Sequence, residues 1–253
     1  MNPKNRRDDA DNRRSRNPAS NDKTHNISVA RPSAGSSSSR RPRRGRALLN
    51  RQLSELNQYP ERVSSVTAKL REAFERQVAM LVLDMVGFSR LTLQHGIIHY
   101  LAMIHQMVEA ATPAVLANGG RIIKQDADDI FAIFDNPTHA LEAARDIFRA
   151  FDAVNTVTPA ERHIYGSVGI GYGETLVIDD EDLFGPQMNL ASKLGEDLAG
   201  KSEILLTASA YQALPNDLFV FTPLKFSIGE MEIDCYRYER ALHDNSGVAT
   251  GPA

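Results

Sequence analysis

Carboxylates cluster at two places in this sequence, each at the end of an apolar run. Asp84 is the lone acid in VAMLVLDMVGF, and Asp126, Asp128 and Asp129 crowd into the centre of RIIKQDADDIFAIF. Two carboxylates from separate strands can bind a pair of divalent cations, which activate an attacking oxygen and neutralise a phosphate leaving group. Each place also has an ordinary interpretation, because Asp caps helices and is favoured in turns.

The three neighbouring acids repel one another, which destabilises the turn unless a cation or a basic partner such as Lys124 compensates. Strict alternation along two hairpin strands predicts Asp126 and Asp128 on one face and Asp129 on the other, so Asp129 should point away. Asp126 and Asp128 are therefore the two candidates to share a cation with Asp84.

Two further segments have residue types that suit a nucleotide. Gly87, which follows Asp84 closely, lets the backbone approach a ligand, and a helix start at this point favours phosphate. Asn189 and Lys193 are four residues apart on a predicted helix and share a face, where an amide and a cation can hold ribose and phosphate. The ordinary interpretations are a strand-to-helix turn and a solvated polar face.

These residues need a sheet to bring them together. Apolar runs and helical spacing predict strands at 78–83, 121–125, 130–134, 166–173, 203–207, 225–228 and 235–238, and helices at 96–117, after Asn136, and at 187–199. Hairpin-joined strands with intervening helices imply the α+β class, with a mostly antiparallel sheet and helices on one side. An acidic loop at 179–182 precedes the helix that carries Asn189.

Charge divides the chain into a basic tail and an acidic body. Residues 1–46 carry 13 Lys and Arg against 4 Asp, and residues 47–253 carry 16 basic against 28 acidic side chains. The tail has no aromatic residue and cannot bury enough apolar surface to offset the entropy of ordering, so it is predicted to be disordered. The expected organisation after it is an entry helix in 47–77, the main domain at 78–240 and a second disordered tail at 241–253.

Composition disfavours several classes of function. The longest apolar run is too short to cross a bilayer, and the N-terminus lacks the apolar core of a signal peptide. Cys235 is the sole cysteine, so no intrachain disulfide can form. The acidic body offers no basic face for stable binding to nucleic acid. A soluble, cytoplasmic protein is expected.

The chain resembles the catalytic domain of the class III nucleotidyl cyclases, the adenylate and guanylate cyclase family, in five segments that occur in order: LVLDMVGFSRL, GGRIIKQDADDIFAIFDNPTHALEAA, VGIGYGE, DLFGPQMNLASKL and EILLTASAY. The resemblance spans residues 76–213, with a weaker tail to Arg240. It implies a ferredoxin-like domain and a homodimer with two active sites at the interface. The implied reaction is attack of the ribose 3′-oxygen of a nucleoside triphosphate on its α-phosphate, which gives a 3′,5′-cyclic nucleotide and pyrophosphate.

The resemblance also implies a metal site and a phosphate site. Asp84 and Asp128 would hold two divalent ions, Mg²⁺ or Mn²⁺, and the backbone carbonyl of Met85 would be a further ligand. The phosphates would lie against the backbone of four consecutive residues, Val86, Gly87, Phe88 and Ser89.

On the sugar and base side, the resemblance makes Asn189 the residue that orients the ribose, supplied by the partner chain. Lys193 stands where the family has a transition-state arginine, and it lacks the bidentate fork of that side chain. Asp182 and Ile122 occupy positions assigned to base recognition, and Ser167 replaces a residue that is often basic. Because Ile122 cannot hydrogen-bond a purine, the base is left open.

Several functions remain in competition at this stage. The first is an active cyclase whose product acts on a separate effector protein, and a variant of it makes a cyclic pyrimidine nucleotide from UTP or CTP for antiphage defence. The second is a silent cyclase-like domain that binds nucleotide or a partner, prompted by the missing basic residues. The third is nucleic-acid binding, which the charge distribution confines to the tail.

Overall fold

The computed structural model describes residues 44–87, 96–228 and 231–242. Its helices are α1 (Arg44–Gln58), α2 (Val63–Phe74), α3 (Ile97–Ala117), α4 (Pro137–Val157), α5 (Pro186–Ser192), which continues as a π-helix (Lys193–Leu198), and α6 (Ala208–Gln212). Its strands are β1 (Glu75–Met85), β2 (Arg121–Asp126), β3 (Asp129–Phe134), β4 (Gly166–Ile178), β5 (Asp182–Phe184), β6 (Ile204–Thr207), β7 (Phe219–Ile228) and β8 (Met231–Ala241). Short 3₁₀ turns occupy Pro60–Arg62 and Ala160–Arg162.

The strands form one sheet in the order β2-β3-β1-β4-β6-β8-β7, with β5 paired to β4. Neighbouring strands are antiparallel except β4 and β6, which are parallel. The predicted α+β class and its mostly antiparallel sheet are therefore confirmed. The four strands β2-β3-β1-β4 and the helices α3 and α4 have the order expected of a ferredoxin-like unit.

Strand β1 lies between β3 and β4 in the sheet, and both of its faces are covered by packed side chains. Ala79, Leu81 and Leu83 join a core cluster with residues of α3 and α4, whereas Met80 and Val82 join a second cluster with Met188 and Ala191 of α5. A strand buried on both sides must be apolar throughout, which explains why Asp84 is so isolated in its sequence. The prediction that the helices lie on one side is correct for α3 and α4 and wrong for α5, which packs on the opposite face.

Local signals set several of the boundaries. The side chain of Asn136 accepts a hydrogen bond from the backbone N–H of His139 and caps α4, and Pro137 stands at the first helical position. Helix α3 ends at Asn118 and Gly119, and Gly119 has φ +73°. Both predicted helix boundaries are confirmed.

The entry segment consists of two packed helices. Leu49 of α1 and Val66, Leu70 and Phe74 of α2 form a buried cluster with Ile178 at the end of β4. Helix α1 begins at Arg44, inside the segment 1–46 for which disorder is predicted; residues 1–43 and 243–253 lie outside the described residues. None of the described helices is long and apolar enough to cross a membrane.

Candidate active site

Three carboxylates meet at one end of the central strands. Asp84 is the penultimate residue of β1, Asp128 lies in the β2–β3 turn and Asp129 begins β3. Because Leu83 lies opposite Ile130 in the antiparallel pair, Asp84 and Asp129 come next along the ladder. One oxygen from each of the three carboxylates lies within 4.8 Å of the others, a spacing that suits shared ligation of a cation.

The turn geometry overturns the expected position of Asp129. Asp126 pairs with Asp129, so Ala127 and Asp128 form a two-residue turn, and Ala127 has φ +50°. A turn residue does not follow the alternation of a strand, which is why Asp128 and Asp129 reach the same side. Asp126 is exposed and lies outside the three-acid cluster. The prediction that Asp129 points away was therefore wrong.

Burial and repulsion from neighbouring acids raise the pKa of two of the three acids, Asp84 and Asp129. Burial, with repulsion from Asp128, raises the pKa of Asp84 to about 6. Burial, with repulsion from Glu196 and Asp84, raises the pKa of Asp129 to about 8. The Oδ1 atom of Asp129 is buried and accepts no hydrogen bond from the described residues. Hard oxygen donors, excess negative charge and an unsatisfied buried oxygen together fit a divalent ion such as Mg²⁺ or Mn²⁺.

The end of β1 and the start of β4 border this cluster. Ser167 lies opposite Asp84 in the β1–β4 pair, is 1% exposed, and its Oγ lies 3.4 Å from Asp84 Oδ2. Met85 lies opposite Gly166, and the N–H of Val86 donates to the carbonyl of Tyr165 at 2.9 Å.

The segment that follows β1 begins with an exposed glycine. Gly87 has φ +101°, a conformation that favours glycine, so its backbone can turn toward a ligand. The predicted phosphate-binding residues Val86 and Gly87 thus lie next to the acid cluster. Phe88 and Ser89 lie outside the described residues.

A second polar pair lies further along β2. Lys124 Nζ lies 3.0 Å from Asp182 Oδ1 and 4.6 Å from the ring centroid of Phe131. The backbone N–H of Leu183 donates to the same Asp182 oxygen at 3.0 Å. Hydrogen bonds from Arg46 and Lys124 overcome the effect of burial and lower the pKa of Asp182, so it stays a carboxylate.

Ile122 does not share the surface of this pair. A β-bulge between Ile122 and Lys124 sets Ile122 opposite Ala132 and Lys124 opposite Phe131. Ile122 packs against the core beneath α3 and α4, whereas Lys124 and Phe131 lie on the α5 side of the sheet. The structure thus places Lys124, and not Ile122, beside Asp182. The available sequence signal was Lys124 itself, which stands two residues before Asp126. It was interpreted only as a cation that compensates the charge of the acidic turn.

Asn189 and Lys193 lie at the surface of α5 and of the π-helix that continues it. Asn189 is exposed, and the ammonium of Lys193 pairs with Asp197 Oδ2 at 2.7 Å. The helix lies very close to β4, because a Cβ on Gly169 would come within 2.0 Å of the carbonyl oxygen of Ala191. Asn189 is thus exposed and Lys193 half-buried on one continuous helical segment that packs on β4.

The chain was compared with family models and with curated proteins, and both curated relatives reported below carry the name adenylate cyclase. No family model matches the chain. It is 28% identical over 143 residues to a candidate adenylate cyclase, number 3, of Rhizobium meliloti (strain 1021), a match that covers 56% of this chain and 24% of that one. It is 29% identical over 143 residues to an adenylate cyclase of Streptomyces coelicolor, which covers 56% of this chain and 35% of that one. The chain thus matches between a quarter and about a third of the length of these curated relatives.

Among solved structures, the fold is similar to an adenylate/guanylate cyclase/hydrolase from Silicibacter pomeroyi. The TM-score is 0.56 and the identity 27%, and the match covers 65% of this chain and 96% of that chain.

Proposed function

We propose that this chain, which carries a class III nucleotidyl cyclase domain, converts a nucleoside triphosphate to a 3′,5′-cyclic nucleotide and pyrophosphate. The observation that supports this most is the cluster of Asp84, Asp128 and Asp129, with oxygens within 4.8 Å of one another at the edge of a glycine-containing turn. A bond forms between the ribose 3′-oxygen and the α-phosphorus, the bond from the α-phosphorus to the leaving pyrophosphate breaks, and the hydroxyl proton is released.

The acid cluster would hold the divalent ions of the reaction. Asp84 and Asp128 are the proposed shared ligands, and Asp129 is a third carboxylate within reach. The backbone carbonyl of Met85, the last residue of β1, is a further proposed ligand. Bound there, such ions lower the pKa of the attacking hydroxyl and neutralise charge on the phosphates. The backbone at Val86 and Gly87 would bind the phosphates beside them, because exposed N–H groups of a turn suit anions.

The second polar pair would receive the base. Lys124 offers a donor and Asp182 an acceptor, and both lie on the α5 side of the sheet. Adenine has a ring nitrogen that can accept from the lysine and an amino group that can donate to the carboxylate, and guanine has a carbonyl that can accept and a ring N–H and an amino group that can donate. The argument for a pyrimidine rested on Ile122, which is half-buried and packs against the core on the other face of the sheet, so the pyrimidine product and the link to antiphage defence lose their support.

A homodimer would complete each site. Asn189 is exposed on α5, where a partner chain can reach it, and Lys193 is half-buried on the π-helix that follows; their supply to the site of a partner is the arrangement that the resemblance implies. Isologous pairing of two copies then makes two equivalent sites, each with acids from one subunit and the ribose-binding amide from the other. The cyclic product would act on a separate effector protein.

Turnover of purified protein tests the reaction. With Mn²⁺ and each of the four common nucleoside triphosphates in turn, we expect a cyclic nucleotide and pyrophosphate in equal amounts from at least one substrate. Asp84→Ala and Asp128→Ala should each abolish turnover, whereas Asp126→Asn, an exposed acid of the same turn, should keep it. Tight nucleotide binding with no product from any substrate would instead identify a silent domain.

Mixing of two inactive variants tests the shared site. Asp84→Ala and Asn189→Ala should each be inactive, and an equal mixture should regain about a quarter of wild-type activity, because half of randomly formed dimers carry one intact site out of two. A mixture that stays inactive, although light scattering shows exchange of subunits, would contradict the two-subunit site.

A further inference from the structure

The first turn of α1 lies on the acidic loop that precedes β5. The backbone N–H of Gly45 donates to Asp179 Oδ2 at 2.8 Å. The guanidinium of Arg46 lies 3.0 Å from Asp182 Oδ2 and 3.5 Å from Glu181 Oε2. The helix is thereby attached to the loop at three of its four acids.

The fit at position 45 is close, and a larger residue there would require the Asp179 carboxylate to move. A Cβ at that position would come within 2.5 Å of Asp179 Oδ2 and 2.6 Å of the carboxylate carbon. Immediately downstream, Leu49 packs against Ile178, the residue before the loop. Arg46 also lies over the ring of Phe184, 5.9 Å from its centroid. Backbone, charge and apolar contacts therefore agree on one docked position of α1.

This docking reaches the proposed base-reading carboxylate. Asp182 Oδ1 pairs with the ammonium of Lys124 and accepts a hydrogen bond from the N–H of Leu183, so Oδ2 is the oxygen that a ligand could use. Arg46 already donates a hydrogen bond to Oδ2. An amino group of a base is also a donor. It would have to displace Arg46 or share a partly screened oxygen with it, which weakens the new hydrogen bond.

We propose that Arg46 is an internal competitor of the nucleotide base at Asp182, so that undocking of the first turn of α1 opens the base site. The proposal rests on the proposed cyclase function for its ligand, a nucleoside triphosphate. Arg46 is the last residue of a strongly basic run, RRPRRGR at 40–46.

The strength of the contact suits a reversible latch. The side chains of Arg46 and Asp182 are 32% and 20% exposed, and ion pairs at this depth are weak enough to open. A ligand that binds only the open form has its apparent affinity reduced by the open fraction. A latch that is closed about 80–90% of the time would weaken nucleotide binding by about 5- to 10-fold.

Kinetics and binding on the full chain test the latch. We expect Arg46→Ala to lower KM for the preferred nucleoside triphosphate about 5- to 10-fold with kcat nearly unchanged, and Arg46→Lys to lie between Arg46→Ala and wild type. Gly45→Ala, whose Cβ would push away the Asp179 carboxylate that holds the same turn and leave the Arg46 charge in place, should lower KM in the same direction but by less than Arg46→Ala. Arg51→Ala, an exposed arginine of the same helix, is the control and should match wild type. An unchanged or higher KM in Arg46→Ala would overturn the proposal.

Hydrogen exchange separates this proposal from the cyclase proposal. An α,β-methylene nucleoside triphosphate with Mn²⁺ should speed amide exchange at residues 45–50 in wild type and leave the already fast exchange of Arg46→Ala unchanged. Slower or unaltered exchange in wild type with the analogue bound would refute the latch. If the analogue binds but no substrate is turned over, the cyclase proposal fails and exchange still decides the latch. If no nucleotide binds, both proposals fail.

Discussion

Lys124 Nζ lies 3.0 Å from Asp182 Oδ1 and joins the middle of β2 to the start of β5. The bulge in β2 is the cause, because it carries Lys124 to the α5 side of the sheet while Ile122 stays opposite Ala132 on the core side. The domain thus presents a cation and a carboxylate, and not an apolar side chain, at the place proposed for the base. Under the proposed function, this pair, and not Ile122, would contact the base.

We expect Lys124→Met to reduce kcat/KM for the preferred nucleoside triphosphate about 10- to 100-fold and to reduce discrimination among the four bases. The substitution keeps much of the side-chain length but removes the donor and leaves Asp182 with less compensation, so a base-specific hydrogen bond is lost. Ile122→Val, a small change in the core, is the matched control and should keep the wild-type base preference. A uniform loss across all four substrates would show that Lys124 supports the fold and does not read the base.

Metal binding should be visible in stability. Without metal, Asp84→Asn should stabilise the protein by roughly 1–2 kcal/mol, because it relieves repulsion among half-buried carboxylates, discounted here for solvent screening. Mn²⁺ should raise the Tm of wild type, since a ligand of the folded state stabilises it, and should raise that of Asp84→Asn much less. Thermal unfolding with EDTA and with Mn²⁺ measures both effects. An equal Tm increase in the two proteins would place the ion elsewhere.

The same acids predict how stability depends on pH. Burial and neighbouring acids raise the pKa of Asp84 to about 6 and that of Asp129 to about 8, above the ordinary value of 3.8 for Asp. Between pH 4 and 8 the folded state therefore binds more protons than the unfolded state, so the free energy of unfolding without metal falls as pH rises. We expect the stability of Asp129→Asn relative to wild type to increase through this window and to level off above it.

Urea unfolding at several pH values measures that difference. Saturating Mn²⁺ should remove the trend, because the ion binds the deprotonated acids and takes the place of the protons. A stability difference between Asp129→Asn and wild type that does not change with pH would mean that Asp129 titrates normally in the folded protein.

The sequence was sufficient for the class of fold and for part of the site. Apolar periodicity located β1, β3 and the helices α3 and α4. The isolation of Asp84 among apolar residues follows from burial of β1 on both faces. The position of Asp129 was missed because alternation was continued through a residue, Asp128, that belongs to a turn. Lys124 was misjudged for a related reason: a one-residue bulge changes the face of every residue on one side of it.

The contacts of α1 were beyond the reach of sequence patterns. Its helical spacing predicts an apolar stripe, but Arg46 meets Asp182 across 136 positions of chain, and no local rule connects them. The same is true of α5, whose packing on the second face of the sheet depends on the close approach of Gly169 to Ala191. Both features are tertiary: the first lies at the proposed latch and the second on the helix proposed to bind the ribose.

Gly169→Ala should separate the helix that carries Asn189 and Lys193 from the sheet. An added Cβ would come within 2.0 Å of the Ala191 carbonyl oxygen and 2.6 Å of the Gly195 backbone nitrogen, and backbone atoms cannot move aside as a flexible side chain can. We expect a loss of about 3 kcal/mol in the free energy of unfolding, typical of overpacking. Where the variant is still folded, kcat should fall more than nucleotide affinity, since the displaced helix is the one proposed to orient the ribose for attack. Gly200→Ala, whose Cβ would meet its nearest atom at 3.5 Å, is the control and should change stability by less than about 0.5 kcal/mol.

Urea unfolding and steady-state kinetics on both variants measure these effects. A stable Gly169→Ala protein with normal kcat would show that the close packing of α5 on β4 is not needed to position the catalytic surface.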